Sequence, residues 1–100
     1  MCCMFYIYFL YSVTSDKYYV GYTSDYERRL LEHNTSERDT YTSRHRPWIL
    51  KAVFECSEDE GATKKMELLI KKQKSRKLIE RMITGESLTG PFTQLTRVPY

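Results

Sequence analysis

Near its start the chain carries two runs dense in aromatic and β-branched residues, one through Tyr6-Ile7-Tyr8 and one through Tyr19-Val20-Gly21, around the polar break Thr14-Ser15-Asp16-Lys17. Such a pattern specifies a strand, a tight turn and a second strand. Side chains alternate faces along a strand, so the length of the hairpin loop decides which residues meet. A four-residue loop, Val13 to Asp16, sets Tyr8 directly opposite Gly21 and diagonal to Tyr19, all three on one face. The glycine then leaves a side-chain-sized gap beside the two phenols. A three-residue loop would put the tyrosines on opposite faces and dissolve the arrangement.

After the second strand, Ser24-Asp25-Tyr26-Glu27 has the S-x-x-E form of a capping box and predicts a helix start. Arg29 and His33, four apart, share one stripe of that helix, and Leu30 and Leu31 are expected to supply its buried side. From Asn34 to Pro47 the chain is rich in Ser, Thr and charge, which reads as a loop. Its Arg44, His45 and Arg46 are either a solvated connection or a contact for a phosphate backbone.

Trp48 to Glu55 alternates, with Trp48, Leu50, Ala52 and Phe54 on one side and Ile49, Lys51, Val53 and Glu55 on the other. This predicts a third strand beside the hairpin at a sheet edge. Ser57-Glu58-Asp59-Glu60 is a second capping pattern, and the helix after it should turn Ala62, Met66, Leu69, Ile70 and Gln73 inward. Ser75 caps a further helix that Thr84-Gly85 stops, leaving residues 85–100 as an irregular or disordered tail after a domain of residues 1–84.

The ordered set Tyr6-Ile7-Tyr8, Tyr19-Val20-Gly21, Arg29, His33 and a glutamate in a downstream helix resembles the GIY-YIG nuclease family. The likeness is to its short, single-domain bacterial members, which are similar to the nuclease module of the UvrC repair protein, and it runs from about Phe5 to Ile83. Tyr6 stands where the family triplet has its first glycine, and Val20 where it has isoleucine. No residue of this chain securely matches the polar residue that closes the last helix in larger members.

The resemblance implies a metal-dependent endonuclease acting on DNA phosphodiesters in repair or recombination, with Tyr8, Tyr19, Arg29, His33 and Glu67 as catalytic residues. Glu67 would be the ligand of Mg²⁺ or Mn²⁺, hard cations that take oxygen ligands and keep several waters. From its own neighbours Glu67 reads rather as an i,i+4 partner of Lys71, and it is the resemblance that turns the reading toward a metal ligand. Arg29 offers a planar fork for phosphate oxygens. An ordinary phenol ionises near pH 10, so Tyr8 or Tyr19 needs help from a cation to act as a base. His33 could accept the water's proton or relay it from Tyr8, or simply sit at a helix end.

The net charge of +3 permits a nucleic-acid partner, duplex, branched or damaged DNA, without demanding one. The expected backbone contacts are Arg44, Arg46, Lys71, Lys74, Arg76 and Lys77, although a lysine-rich helix end is also an ordinary dipole complement. Cys2, Cys3 and Cys56 make neither a zinc spacing nor an even disulfide framework, which suits a reducing cytoplasm. Met1 to Leu10 lacks a basic leader region and the ~18 apolar residues of a membrane span, so it reads as a strand buried on both faces.

The expected fold is therefore α/β in the α+β sense, a small three-stranded, mostly antiparallel sheet flanked by helices, with no small-molecule cofactor. A different class of function remains open: a DNA-binding module that keeps the fold without turnover. A protein-interaction domain would require all five site residues to be incidental.

Overall fold

The computed structural model describes residues 4–35, 41–86, 88 and 90–99. Cys2, Cys3 and part of the polar stretch, residues 36–40, lie outside the described residues. Strands β1 (Phe5–Ser12) and β2 (Lys17–Thr23) form the hairpin, and their pairing of Ser12 with Lys17 and Tyr8 with Gly21 is the four-residue-loop register. Asp16 closes the loop in the left-handed region at φ 52°, a conformation Asp tolerates better than most residues.

The hairpin continues into a sheet of order β2-β1-β3-β4, with β3 at Trp48–Ser57 and β4 at Thr96–Arg97. Strand β1 has partners on both sides, which is why its residues are apolar on both faces. Ile7 and Phe9 join Val20, Ala52 and Phe54 in one core, against Met66, Ile70 and Met82 from the helices. Tyr8 and Leu10 join Trp48 and Val53 in the other.

The simple alternation expected for β3 fails at a bulge. Phe9 pairs with Ala52 and Leu10 with Leu50, so Lys51 is an extra residue. An extra residue reverses facing from that point on. Trp48 therefore shares a core with Val53, and Ala52 and Phe54 turn to the opposite side.

The sheet has four strands where three were expected, and the fourth comes from the segment expected to be irregular. Residues Gly90–Gln94 form a 3₁₀ turn that brings Leu95 into the core at 6% exposure. Arg97 then pairs with Phe54 in the ladder and donates to the carbonyls of Met82, Ile83 and Lys51. Val98 N–H donates to Val53 O at 2.8 Å. With β4 outside it, β3 is not an edge. Leu95→Ala is expected to cost about 2–5 kcal/mol, the scale of emptying a buried leucine site. Deletion of residues 90–100 should cost at least as much, both read by denaturant unfolding.

Helix α1 (Tyr26–Thr35) is capped by Asp25 and not Ser24: Arg28 N–H donates to Asp25 Oδ1 at 3.1 Å. Helix α3 (Glu60–Lys72) is likewise capped by Asp59 and not Ser57, through Gly61 N–H. In both cases the hydroxyl two residues earlier, Thr23 or Ser57, accepts the cap's own N–H. A carboxylate at the cap satisfies the first-turn donors and complements the helix dipole, so it displaces the serine from that role. Between them α2 spans Tyr41–Arg44.

The buried stripe of α3 is Thr63, Met66, Glu67 and Ile70. Ala62 and Gln73 are exposed, and Leu31 on α1, expected inside, is 61% exposed. Helix α4 (Arg76–Thr84) has the expected ends, with Ser75 Oγ accepting from Leu78 N–H and Gly85 at φ 86°. No helix among the described residues is long and apolar enough to cross a membrane.

Candidate functional site

Tyr8 and Gly21 face each other across β1 and β2, and the Tyr8 phenol fills the space a side chain at 21 would take. A Cβ built on Gly21 falls 2.5 Å from Tyr8 Cζ. Tyr8 is only 2% exposed and packed among its neighbours, so its ring gives way only at a cost. Gly21→Ala is therefore expected to destabilise the fold by about 1–3 kcal/mol through overpacking and to displace the phenol. A denaturation curve checks the first effect.

The Tyr8 hydroxyl lies 2.9 Å from His33 Nε2, a buried contact. Burial, then the neighbouring Tyr19, push the Tyr8 phenol well above its ordinary range, and Arg29 beside it offsets only part. Burial, with Arg29 and Arg46 adding repulsion, lowers the His33 pKa to about 4. At neutral pH the phenol is thus protonated and the imidazole neutral. Tyr8 O–H donates and His33 Nε2 accepts, which leaves the ring proton on Nδ1.

This depressed pKa has a stability consequence. The unfolded chain binds a proton at His33 near pH 6.5, and the folded chain only near pH 4. The stabilisation is complete above pH ~6.5 and is lost as pH falls through the folded value. The melting temperature should drop between pH 6.5 and 4, and His33→Gln should flatten that segment of the curve.

Two residues outside the five expected catalytic residues fix the end of α1. Arg46, expected to contact a phosphate backbone, donates from Nε to the His33 carbonyl at 2.8 Å. Asn34 clamps β3, its Oδ1 accepting from Trp48 N–H at 2.7 Å and its Nδ2 donating to Trp48 O at 3.0 Å. In sequence Asn34 is simply the first residue of a polar stretch. Only a carboxamide can match both groups of one backbone unit, and its position beside His33 is the one available hint.

Tyr19 sits over the same site, its ring 6.3 Å from Tyr8 and 5.0 Å from His33. Arg29 lies beside the Tyr8 phenol, ion-paired to Glu32 at 3.1 Å with a side chain 45% exposed. Glu67 reaches in from α3, its side chain 11% exposed and Oε1 3.3 Å from Lys71 Nζ. Tyr8, Tyr19, Gly21, Arg29, Glu60 and Glu67 line one cavity of about 370 Å³. Four of the five expected catalytic residues meet there, with His33 behind Tyr8.

Among the described residues no three His, Cys, Asp or Glu cluster as a ready cage for a metal. The Glu67 carboxylate does fit a hydrated hard cation, because it is shielded from bulk water, pairs with Lys71 as its one cationic partner among the described residues, and opens onto a polar space. Mg²⁺ is commonly held through one or two carboxylates with waters completing its shell.

The expected backbone-binding cations do not form one surface. Lys71, Lys74 and Arg76 line a second cavity. Lys77 lines a separate depression with Glu80 and Arg81. Arg76 and Lys77 are successive residues of α4 and point about 100° apart around its axis, so they face different depressions. Arg76 is engaged by Asp16 at 2.6 Å and Glu80 at 3.3 Å. Arg44 is exposed at the end of α2.

The GIY-YIG catalytic domain model matches residues 4–80. A UPF0213 protein of Haloquadratum walsbyi is 32% identical over 83 residues, which cover 83% of this chain and 92% of that protein. No solved structure matches the chain significantly.

Proposed function

The chain belongs to the GIY-YIG family, a family of nucleases, and from that premise we propose that it is a divalent-metal-dependent endonuclease that hydrolyses DNA phosphodiester bonds. The observation that carries this reading is the single cavity onto which Tyr8, Tyr19, Arg29 and Glu67 open, with His33 bonded to Tyr8 from behind. Hydrolysis needs an oriented and deprotonated water, compensation of charge on the phosphoryl oxygens, and a relieved leaving group.

Arg29, half exposed at the rim with its Nη1 on Glu32, would bring its fork to the non-bridging oxygens by exchanging that partner for the phosphate. Tyr19 faces it across the cavity and hydrogen-bonds the phosphate. Tyr8 orients the attacking water. Its phenol is protonated at rest, so it takes the water's proton only as it passes its own to His33 Nε2, one proton in and one out. Glu67 would hold Mg²⁺ or Mn²⁺, which supplies Lewis-acid neutralisation of the phosphoryl charge when bound. Lys71, the present partner of Glu67, would then be free to turn toward the phosphate.

Lys71, Lys74 and Arg44 offer further cations to the flanking backbone. Cys56 is a free thiol, consistent with a reducing cytoplasmic setting. The alternative, a DNA-binding module without turnover, is favoured by one observation: Lys71 already compensates the Glu67 charge. Labelled single-stranded, duplex, branched and nicked DNA incubated with and without Mg²⁺ decides the matter. Metal-dependent cleavage supports the nuclease; binding without cleavage across all metals and substrates supports the module.

A further inference from the structure

Helix α1 carries a central side chain of the site, yet it buries little of itself. Its one buried residue is His33, and Leu31 stands 61% exposed. His33 also lies in the last turn, where carbonyls lose their intrahelical partners and helices fray. A ring in such a turn keeps its place only if something outside the helix holds the backbone beneath it.

That hold is polar. Arg46 Nε donates to the His33 carbonyl at 2.8 Å, and the Arg46 carbonyl in turn accepts from Thr14 Oγ1 of the hairpin loop at 3.1 Å. Next to it, His45 Nδ1 lies 2.8 Å from Ser15 Oγ of the same loop. Asn34 meets both backbone groups of Trp48, at 2.7 Å and 3.0 Å. Trp48 is 3% exposed and pairs with Ser12 in the ladder, so it is a firm point to which a helix end can be tied. Its ring lies 6.0 Å from that of Tyr19, which lies 5.0 Å from His33 and 6.3 Å from Tyr8. The residue that Asn34 grips by its backbone therefore backs the site with its ring.

We propose that Asn34 is a positioning residue for the proton relay: by clamping the last turn of α1 to Trp48, it holds His33 Nε2 at hydrogen-bonding distance from the Tyr8 hydroxyl. Its effect on cleavage rests on the nuclease reading; its placement of the ring does not. Asn34 does not line the cavity, so it acts through His33 and not on the substrate. Arg46 reaches the His33 carbonyl at the end of a long side chain, whereas the two bonds of the short Asn34 carboxamide fix orientation as well as distance. A ring released from this pocket gains water and ionises more readily. The titratable groups that face it are Tyr8 on β1, Tyr19 on β2, Arg29 and Glu32 on α1, and Arg46 before β3. A neutral change at position 34 alters none of their charges, so a shift in the His33 titration reports the exposure of the ring.

The test follows the His33 imidazole by proton NMR through a pH titration of the full chain, without DNA or metal, with His45→Gln identifying the second histidine. In Asn34→Ala the titration should move up from about 4 by at least ~1 pH unit. In cleavage, kcat should fall about 10–100-fold with KM for DNA nearly unchanged, as for a displaced reacting group. The acid limb of kcat/KM should rise together with the titration. Leu95→Ala, which loosens the other core, should leave both the titration and the acid limb in place. If Asn34→Ala does not fold, Asn34→Ser takes its place, a neutral variant whose hydroxyl can serve one Trp48 group but not both, with a shift in the same direction expected.

A His33 titration that stays near 4 in the Asn34 variant while stability alone falls overturns the proposal and makes Asn34 a structural tie. So does an equal shift in Leu95→Ala, which would make the titration a general response to destabilisation, or a loss of cleavage that appears wholly in KM. Should the nuclease reading alone fail, the wild-type chain cleaves no DNA while the titration still moves in Asn34→Ala and not in Leu95→Ala.

Discussion

Glu67→Gln is expected to lower single-turnover DNA cleavage by a factor of at least ~10², the scale of removing one strong electrostatic contributor to a transition state. The substitution keeps the shape and hydrogen-bonding capacity of the side chain and deletes only its charge. DNA binding should be retained or tightened, because a shielded negative charge beside the phosphate disappears and Lys71, now 3.3 Å from the carboxylate, is freed. The fold should hardly respond, since an i,i+4 pair contributes only about 0.2–0.5 kcal/mol. A competing account makes Glu67 nothing more than the partner of Lys71. It predicts that same small stability change with cleavage untouched. Cleavage and a DNA titration on one folded preparation separate the two, and full activity in the variant removes Glu67 as the metal ligand.

The parts of the fold legible in sequence were those governed by local periodicity. Strand alternation and a four-residue loop placed Tyr8 opposite Gly21, and Ser75 with Gly85 bounded α4. Competition among neighbours was not legible. Ser24 and Asp25, or Ser57 and Asp59, are each acceptable caps alone, and the choice goes to the residue whose own N–H is accepted by a hydroxyl two positions earlier, Thr23 or Ser57. The bulge at Lys51 carries no glycine or proline to announce it, so every side chain beyond it was placed on the wrong face.

Long-range partners account for the remaining differences. Leu95 is one apolar residue in an aperiodic stretch, and only the finished sheet shows that it is buried and that Arg97 reaches three carbonyls. Glu67, not among the residues of α3 expected to face inward, lies within its buried stripe. A carboxylate there is tolerable because a polar cavity opens beside it, and a helical pattern cannot display a cavity made mainly by other elements. Arg76 and Lys77, adjacent in sequence, diverge because successive residues of α4 point about 100° apart around the helix axis.

Tyr8→Phe carries the second large effect, a fall in cleavage of about 10²–10⁴, the range supplied by positioned proton transfer. The ring should keep its place against Gly21, so the structural cost is confined to the lost hydrogen bond to His33. That leaves a buried acceptor unpaired and costs about 1–3 kcal/mol of stability. If Tyr8 and His33 pass one proton in concert, removing either stops the relay. Tyr8→Phe with His33→Gln should then be no slower than the worse single variant. Independent roles predict multiplied losses. The pH profile gives a separate reading of the same pair. His33 titrates at about 4 in the folded site, so the acid limb of kcat/KM should lie near that value and activity should be insensitive to pH between ~5.5 and ~7.5 on this account. A solvent-exposed histidine acting alone would place the limb near 6.5. An acid limb at 6.5 together with multiplicative losses in the double variant would show that Tyr8 and His33 do not share the proton.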